Sequence, residues 1–373
     1  MHTARLLRAS SIVAAAALVL GSLMTPTALA APGDLDTSFS GDGYALTTFA
    51  GGGGSFYGVA VRGSAPAGCG QGGIVLVGVR RPGGGLDRTF SGDGRLRIDP
   101  LGGGTSYLQA CRYLPDGRLV GVGGATNVGG DGRMLVAVFT RNGRPDRSFS
   151  GDGFAVTRFP GSPEAYGYDL AVRRDGRIVA VGETYDQSTP SARFAIARFT
   201  ASGALDRTFS GDGRVTVGFG SGTDGAWKVE LDSDGRVVVG GWARETSSDP
   251  FQTGIVVLRP DGRRDPRFGD GGKRLYDVVP GDENWANALA IRPDDRIVVG
   301  VDLPGAPSEG HAVMQLKPRG GLDLTFGGGD GLVVNVAPEI SLEDLELYGR
   351  RIVFTGTATD TPAFVRLREL GGL

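Results

Sequence analysis

The stretch Leu205-Asp206-Arg207-Thr208-Phe209-Ser210-Gly211-Asp212-Gly213 decides the fold, because the chain repeats it. The same L-D-x-x-F-S-G-D-G pattern starts at Leu35 and Leu86, and recurs as PDRSFSGDG at Pro145, RDPRFGDGG at Arg264 and LDLTFGGGDG at Leu322. Its phenylalanines, Phe39, Phe90, Phe149, Phe209, Phe268 and Phe326, are 51, 59, 60, 59 and 58 residues apart. A fixed period in the tens of residues is the mark of a solenoid or a propeller.

Each period holds a second motif. In the third unit YDLAVR at Tyr168 and RIVAVG at Arg177 flank Arg174-Asp175-Gly176, and a D-G pair between two alternating apolar runs is a strong hairpin signal. PDGR at Pro115 and SDGR at Ser233 repeat it, with weaker forms PDDR at Pro293 and YGRR at Tyr348. RFAIARFT at Arg193 then leads to the marker, and short strands such as GFAVTRF from Gly153 and GRVTVGF from Gly213 follow markers. Four short antiparallel strands per unit predict an all-β, six-bladed β-propeller over residues 31–373. The ends agree with a closed ring. The 47 residues from Gly327 to Leu373 and the 7 from Gly33 to Phe39 make one period of 54. The first unit departs from the rest: GSAPAGCGQGG stands in place of the D-G hairpin, which predicts a blade short or distorted by one strand.

These units, carrying L-D-x-x-F and D-G-R-[IV]-[VL] in a common register, resemble the delta-60 repeat, a family of bacterial, largely exported, propeller-like repeats of undefined activity. The resemblance covers Gly33 to Leu373 and implies a fold and no reaction.

Residues 1–30 have the three parts of an export signal: Arg5 and Arg8, an apolar run from Ile12 to Leu20, and Ala28-Leu29-Ala30 as a cleavage site. The expectation is a secreted protein starting at Ala31, without a membrane span in the mature chain. Net charge is -2, and -4 without Arg5 and Arg8, with both signs interleaved, which speaks against a nucleic-acid partner. Glycine is the extreme at 66 of 373 residues, and without a G-x-y period it reads as frequent tight turns. Cys69 and Cys111 are expected to pair in an oxidising compartment, Cys69 in the irregular stretch and Cys111 in the second strand of the next blade.

The residues that carry chemistry are weighed against their structural reading. The marker aspartates, Asp36, Asp87, Asp146, Asp206, Asp265 and Asp323, recur in every unit, which suits Asx-turns rather than catalysis. The G-D-G aspartates, Asp42, Asp93, Asp152, Asp212, Asp270 and Asp330, are the only calcium candidates, yet they lack the spacing of an EF-hand loop. His311 is the one imidazole left after export, so nucleophilic catalysis would depend on it; it is read as a solvated strand residue. A two-carboxylate hydrolase or lyase stays open through Glu164, Glu183, Glu230, Glu245 and Glu283, each read first as a solvated loop charge, Glu230 being the least ordinary because it alternates with Val229 and Leu231.

Aromatics break the repeat in the most suggestive way. Counting back five from Arg62, Arg112, Arg173 and Asp232 gives Tyr57, Tyr107, Tyr168 and Trp227, and two positions earlier come Tyr166 and Trp285. With Trp242 these form a candidate rim platform for an extracellular protein or an envelope polysaccharide; the competing reading packs them between blades. The leading function is therefore a non-catalytic binding or scaffold propeller. A carboxylate-dependent hydrolase or lyase and a calcium-stabilised module stand behind it.

Overall fold

The computed structural model describes residues 37–42, 44–127, 129–186, 191–304, 310–334, 344–348, 351–358 and 361–367. The chain divides into two compact units, Met1–Asp34 and Leu35–Leu373, and all described residues belong to the second. Residues 1–30, expected from the sequence to be an export signal, and Asp36 lie outside the described residues.

All described regular structure is β, in six antiparallel sheets. The first holds β1 (Ser55–Arg62), β2 (Ala65–Gln71), β3 (Val75–Val79) and β4 (Arg95–Ile98). The second holds β5 (Thr105–Tyr113), β6 (Leu119–Thr126), β7 (Gly132–Phe139) and β8 (Phe154–Thr157). The third holds β9 (Glu164–Val172), β10 (Ile178–Asp186), β11 (Ser191–Phe199) and β12 (Arg214–Val217). The fourth holds β13 (Gly225–Leu231), β14 (Val237–Ala243), β15 (Gln252–Leu258) and β16 (Lys273–Tyr276). The fifth holds β17 (Trp285–Ile291), β18 (Ile297–Leu303), β19 (Gly310–Leu316) and β20 (Leu332–Val334). The sixth, of three described strands, holds β21 (Asp344–Tyr348), β22 (Arg351–Ala358) and β23 (Thr361–Leu367).

Two expectations are corrected. The first sheet has its full four strands, because the Gly- and Ala-rich stretch around Cys69 pairs as β2 with both β1 and β3 without needing bulky side chains. The strand after each marker closes the sheet before it: β12 pairs with β11 across the marker, from Phe194 opposite Val217 to Ala197 opposite Arg214. Cys111 accordingly lies on β5, the first strand of its sheet. A disulfide joins it to Cys69 on β2, with the Cα atoms 6.3 Å apart.

The middle strands of the second to fifth sheets read as nearly continuous apolar runs because both faces of those sheets are covered. Ile178 and Ala180 of β10 pack toward the second sheet while Val179 and Val181 pack toward the fourth. Five such cores lie between consecutive sheets, from first to second through fifth to sixth. Among the described residues none joins the sixth sheet to the first, where Val59 and Val61 are 66% and 60% exposed. Residues 44–49 form no strand.

The two repeated motifs interlock. The arginine of each D-G-R or D-D-R hairpin reaches the marker aspartate of its own sheet: Arg118 to Asp146 at 2.7 Å, Arg177 to Asp206 at 2.8 Å, Arg236 to Asp265 at 3.3 Å and Arg296 to Asp323 at 2.7 Å. The other carboxylate oxygen of each aspartate accepts the backbone N–H two residues on, the expected Asx-turn. In the third sheet Arg198, 4% exposed, adds a second guanidinium on Asp206 at 2.8 Å. The first unit lacks the hairpin arginine, and among the described residues the Asp87 carboxylate bonds only Thr89. A hydrogen bond from Arg267 is the main cause holding the Asp265 carboxyl down at about 2.

A second seam runs between sheets. The residue after each marker phenylalanine adopts a positive φ, 53° at Ser150 and 54° at Ser210, and Gly269 takes that place at 50°. This turn aims its N–H at a carbonyl of the next sheet: Ser91 to Asn142, Ser150 to Ser202 and Ser210 to Asp261 at 2.8 Å, and Gly269 to Arg319 at 3.1 Å. Ser40 makes the same bond to Gly83 at 3.1 Å. The phenylalanines beside these turns, such as Phe149, Phe209 and Phe268, are at most 1% exposed.

Replacing Asp206 by Ala takes the carboxylate from the buried Arg198 and one of two from the partly exposed Arg177, and chemical denaturation is expected to show a loss of about 3–5 kcal/mol, most of it from Arg198. Asp87→Ala, which removes only contacts to Thr89, is expected to cost about 1 kcal/mol. The disulfide spans 42 residues of sequence, and the Cys69→Ser/Cys111→Ser pair should lose about 3–4 kcal/mol in the same assay.

Candidate functional site

The first strand of each of the first five sheets contains a bulge at one place. Pairing passes from Phe56 to Gly58, Leu108 to Ala110, Gly167 to Asp169, Ala226 to Lys228 and Ala286 to Ala288. The skipped residues are Tyr57, Gln109, Tyr168, Trp227 and Asn287. A bulge leaves its residue out of register and re-aims the side chain, which is why bulges gather at functional sites.

This register corrects the sequence alignment of the aromatics. Tyr107 is not the counterpart of Tyr57, Tyr168 and Trp227; Gln109 is. The hairpin in the second sheet closes at Leu114, whose N–H bonds Arg118, as Arg173 bonds Arg177, so counting from Arg112 slipped the register by two. Tyr107 belongs with Tyr166 and Trp285, each two residues before its bulge.

The two sets behave differently. Tyr166 packs on the neighbouring second sheet, where a side-chain carbon at Gly132 would fall 2.5 Å from its hydroxyl oxygen, and its hydroxyl donates to Glu164 at 2.8 Å. Trp285 meets Phe251 of the fourth sheet edge-on at 6.3 Å, and Phe251 meets Trp242 at 4.9 Å. These residues fill the space between sheets. The bulge residues instead reach the residue of their own second strand that faces the position two before the bulge: Tyr57 bonds Gln71 at 2.5 Å, Tyr168 donates to Glu183 at 2.7 Å, and Asn287 donates to Asp302 at 3.2 Å. Tyr168 and Trp227 stack, 5.4 Å between ring centres and 23° from parallel, while Tyr57 is 44% exposed and meets Tyr107 edge-on at 6.5 Å. The indole N–H groups of Trp227 and Trp285 are buried and have no partner among the described residues.

Three of the five carboxylates read as solvated loop charges, Glu164, Glu183 and Glu230, prove to be strand residues. Glu164 is buried on β9. Glu183 lies on β10, where burial pushes its carboxyl up and the Tyr168 hydrogen bond partly offsets that. Burial likewise raises the Tyr168 and Tyr107 hydroxyls. Glu245 is exposed, as expected. His311 is buried on β19, not solvated, with Nδ1 3.0 Å from Asp302. The G-D-G carboxylates of Asp93, Asp152, Asp212 and Asp330 accept the N–H two residues on, at 2.8–3.0 Å. Among the described residues no group of three or more His, Cys, Asp or Glu is placed to hold a metal ion.

Further along the first strands lies a charged cluster that sequence reading assembled only as the single residue Glu230. Arg112 of β5 lies 3.3 Å from Glu230 of β13 and 3.8 Å from Asp169 of β9, and Lys228 of β13 lies 3.2 Å from Asp344 of β21. The Asp169 carboxylate also accepts the Val229 N–H at 3.0 Å. These contacts join the second sheet to the fourth and the fourth to the sixth, so the first strands of four sheets converge. Enclosure raises the Glu230 carboxyl to about 7, with Arg112 opposing and Asp169 reinforcing the shift. The available signal was charge at inward strand positions; the partners lie 118 and 116 residues apart and no local pattern links them.

The model of a family described as "Domain of unknown function (DUF5122) beta-propeller" matches residues 114–149, 173–209 and 233–268. Each match runs from a hairpin to a marker phenylalanine, the segment that the Arg–Asp pair closes. A search of curated proteins gave no match. Among solved structures the chain is similar to the extracellular domain of a putative one component system from B. thetaiotaomicron, at 12% identity and a TM-score of 0.41, covering 83% of this chain and 32% of that one. It spans about a third of that structure's length. It is also similar to the β-propeller domain of the Trilobed protease from Pyrococcus furiosus, at 10% identity and 0.45, covering 84% and 81%. A third similarity is to an α-L-arabinofuranosidase from Fusarium graminearum, at 10% and 0.45, covering 90% and 96%. The matched stretches are similar to repeats of a β-propeller family, and the fold is a β-propeller.

Because the folded Glu230 pKa lies above the ordinary 4.5, its contribution to stability is complete below pH 4.5 and is lost as pH rises through 7. The stability of the native protein relative to Glu230→Gln, measured by denaturant titration, should fall between pH 5 and pH 8 by about 1–2 kcal/mol, a value discounted because the side chain is 32% exposed.

Proposed function

We propose that the chain is an exported, non-catalytic binding propeller whose six repeats close into a ring, and that the bulge positions bind a carbohydrate of the cell envelope. The observation that carries this reading is the bulge repeated in five sheets with a different side chain in each. A feature that only supported the fold would keep one residue, as the marker aspartate does. The stacked Tyr168 and Trp227 offer flat apolar rings, and the neighbouring amides and carboxylates of Gln71, Glu183, Asn287 and Asp302 offer the polar groups that orient a sugar.

Ring closure rests on two supports. Ser40 bonds Gly83 as the other marker turns bond the next sheet, and Lys228 bonds Asp344 across the first strands. Export is supported by the signal-like residues 1–30 and by the disulfide. Among the described residues no helix is long and apolar enough to cross a membrane.

A second reading has its own observation. Glu230, whose carboxyl is raised to about 7, and Asp169 share Arg112, a pair of acidic side chains at one site of the kind hydrolases use. Turnover of a polysaccharide abolished by Glu230→Gln would favour it.

The test is a thermal-shift and calorimetric screen of the secreted protein against soluble peptidoglycan fragments, neutral and acidic polysaccharides, and Ca²⁺ with a chelator control. Binding of a glycan is expected to weaken about tenfold or more in Trp227→Ala and in Tyr168→Ala, without turnover. A glycan bound equally by both variants would sink the bulge assignment; a Ca²⁺ shift reversed by chelator would establish the calcium-stabilised alternative.

A further inference from the structure

A cavity of about 480 Å³ lies between the outer strand of the third sheet and the turn that follows β15 in the fourth. Strand β12 with Gly218 forms one wall, and Gly262, Arg263 and Arg264 form the other. Lys273 completes it, its ammonium donating to the Gly218 carbonyl at 2.6 Å. The lining contains three cations and no carboxylate. Lys273 has no carboxylate within ion-pair distance among the described residues, its ammonium lying 5.3 Å over the Phe219 ring and attracted at longer range by Asp224, and the exposed guanidinium groups of Arg263 and Arg264 have no partner among the described residues. Arg267, three residues on, shows the contrast: it is spent on Asp265 at 2.9 Å.

The repeat identifies what is unusual here. Arg264 bridges to Leu258 where Leu86, Pro145, Leu205 and Leu322 make the same bridge in the other sheets. Leu205 and Leu322 pack against core clusters at that position. In the fourth sheet alone an apolar packing residue is replaced by an exposed cation, and it stands beside a second one. The fold does not need this change. The adjoining β12 is a sheet edge, which leaves alternate backbone N–H groups without a ladder partner.

We propose that this groove binds an oxyanion group, a phosphate, sulfate or carboxylate, either as a free ion or carried on an anionic glycan. Guanidinium groups match such oxygens with paired, charge-assisted hydrogen bonds, and no resident carboxylate competes for them. The site is separate from the aromatic bulge positions and does not depend on the reading given to them.

Isothermal titration at fixed ionic strength, with sodium phosphate, sodium sulfate and a sulfated oligosaccharide against a neutral oligosaccharide of equal length, tests the proposal. Binding of at least one oxyanion probe and none of the neutral one is expected. Arg263→Ala and Arg264→Leu should each weaken it about tenfold and the double variant should abolish it. Arg264→Leu restores the residue of the other repeats, so its melting temperature should equal or exceed that of the native protein, which separates loss of binding from loss of fold. Heat from the free ions places the site's specificity on the ion, and heat from the sulfated oligosaccharide alone places it on a polymer-borne group. No heat with any oxyanion probe, or undiminished binding by the double variant, would overturn the proposal.

Discussion

The ion pair between the hairpin arginine and the marker aspartate is the constraint shared by the second to fifth sheets. The hairpin turn and the marker lie about 30 residues apart in sequence and meet at one end of the sheet's antiparallel middle strands, where the pair ties them together. The aspartate is almost fully buried, 3% exposed at Asp206 and 0% at Asp265, so its charge is tolerable only with these partners. The two motifs keep a common register because they are two halves of one contact. The family matches at 114–149, 173–209 and 233–268 begin and end at those halves.

From this contact the rest follows outward. The marker aspartate fixes an Asx-turn, the turn places a buried phenylalanine, and the next residue takes a positive φ that directs its N–H to the following sheet. One short segment thereby closes its own sheet and couples to its neighbour. The first sheet has no hairpin arginine, and there the covalent link from Cys69 to Cys111 ties β2 to β5. A first sheet without the ion pair is thus joined to the second by a bond of another kind.

The same regularity shows where the chain is free to vary. Positions inside the Arg–Asp contact barely change, whereas the bulge carries Tyr57, Gln109, Tyr168, Trp227 and Asn287 on one backbone. The bulge is a backbone device that accepts any side chain without disturbing the ladder beyond it. Arg264 is a second departure, at a position where leucine is the rule. In both places the frame is held by other residues, so side-chain identity can serve a ligand.

The sequence by itself determined the period, the all-β class, the D-G hairpins and the Asx-turn role of the marker aspartates, because each is set by residues within a turn or two of one another. It was also enough to single out Tyr57, Tyr168 and Trp227. It misplaced Tyr107 by two residues and missed Gln109 and Asn287, since a bulge adds one residue without any compositional mark. It gave the first sheet too few strands because glycine and alanine in β2 carry no strand propensity, and only pairing with β1 and β3 makes them a strand. Arg112 with Glu230, and Lys228 with Asp344, became partners only when sheets more than one repeat apart came together. Local chemistry decides turns and strands, while register and convergence arise from packing each sheet against its neighbours at once, a condition that no single repeat can express.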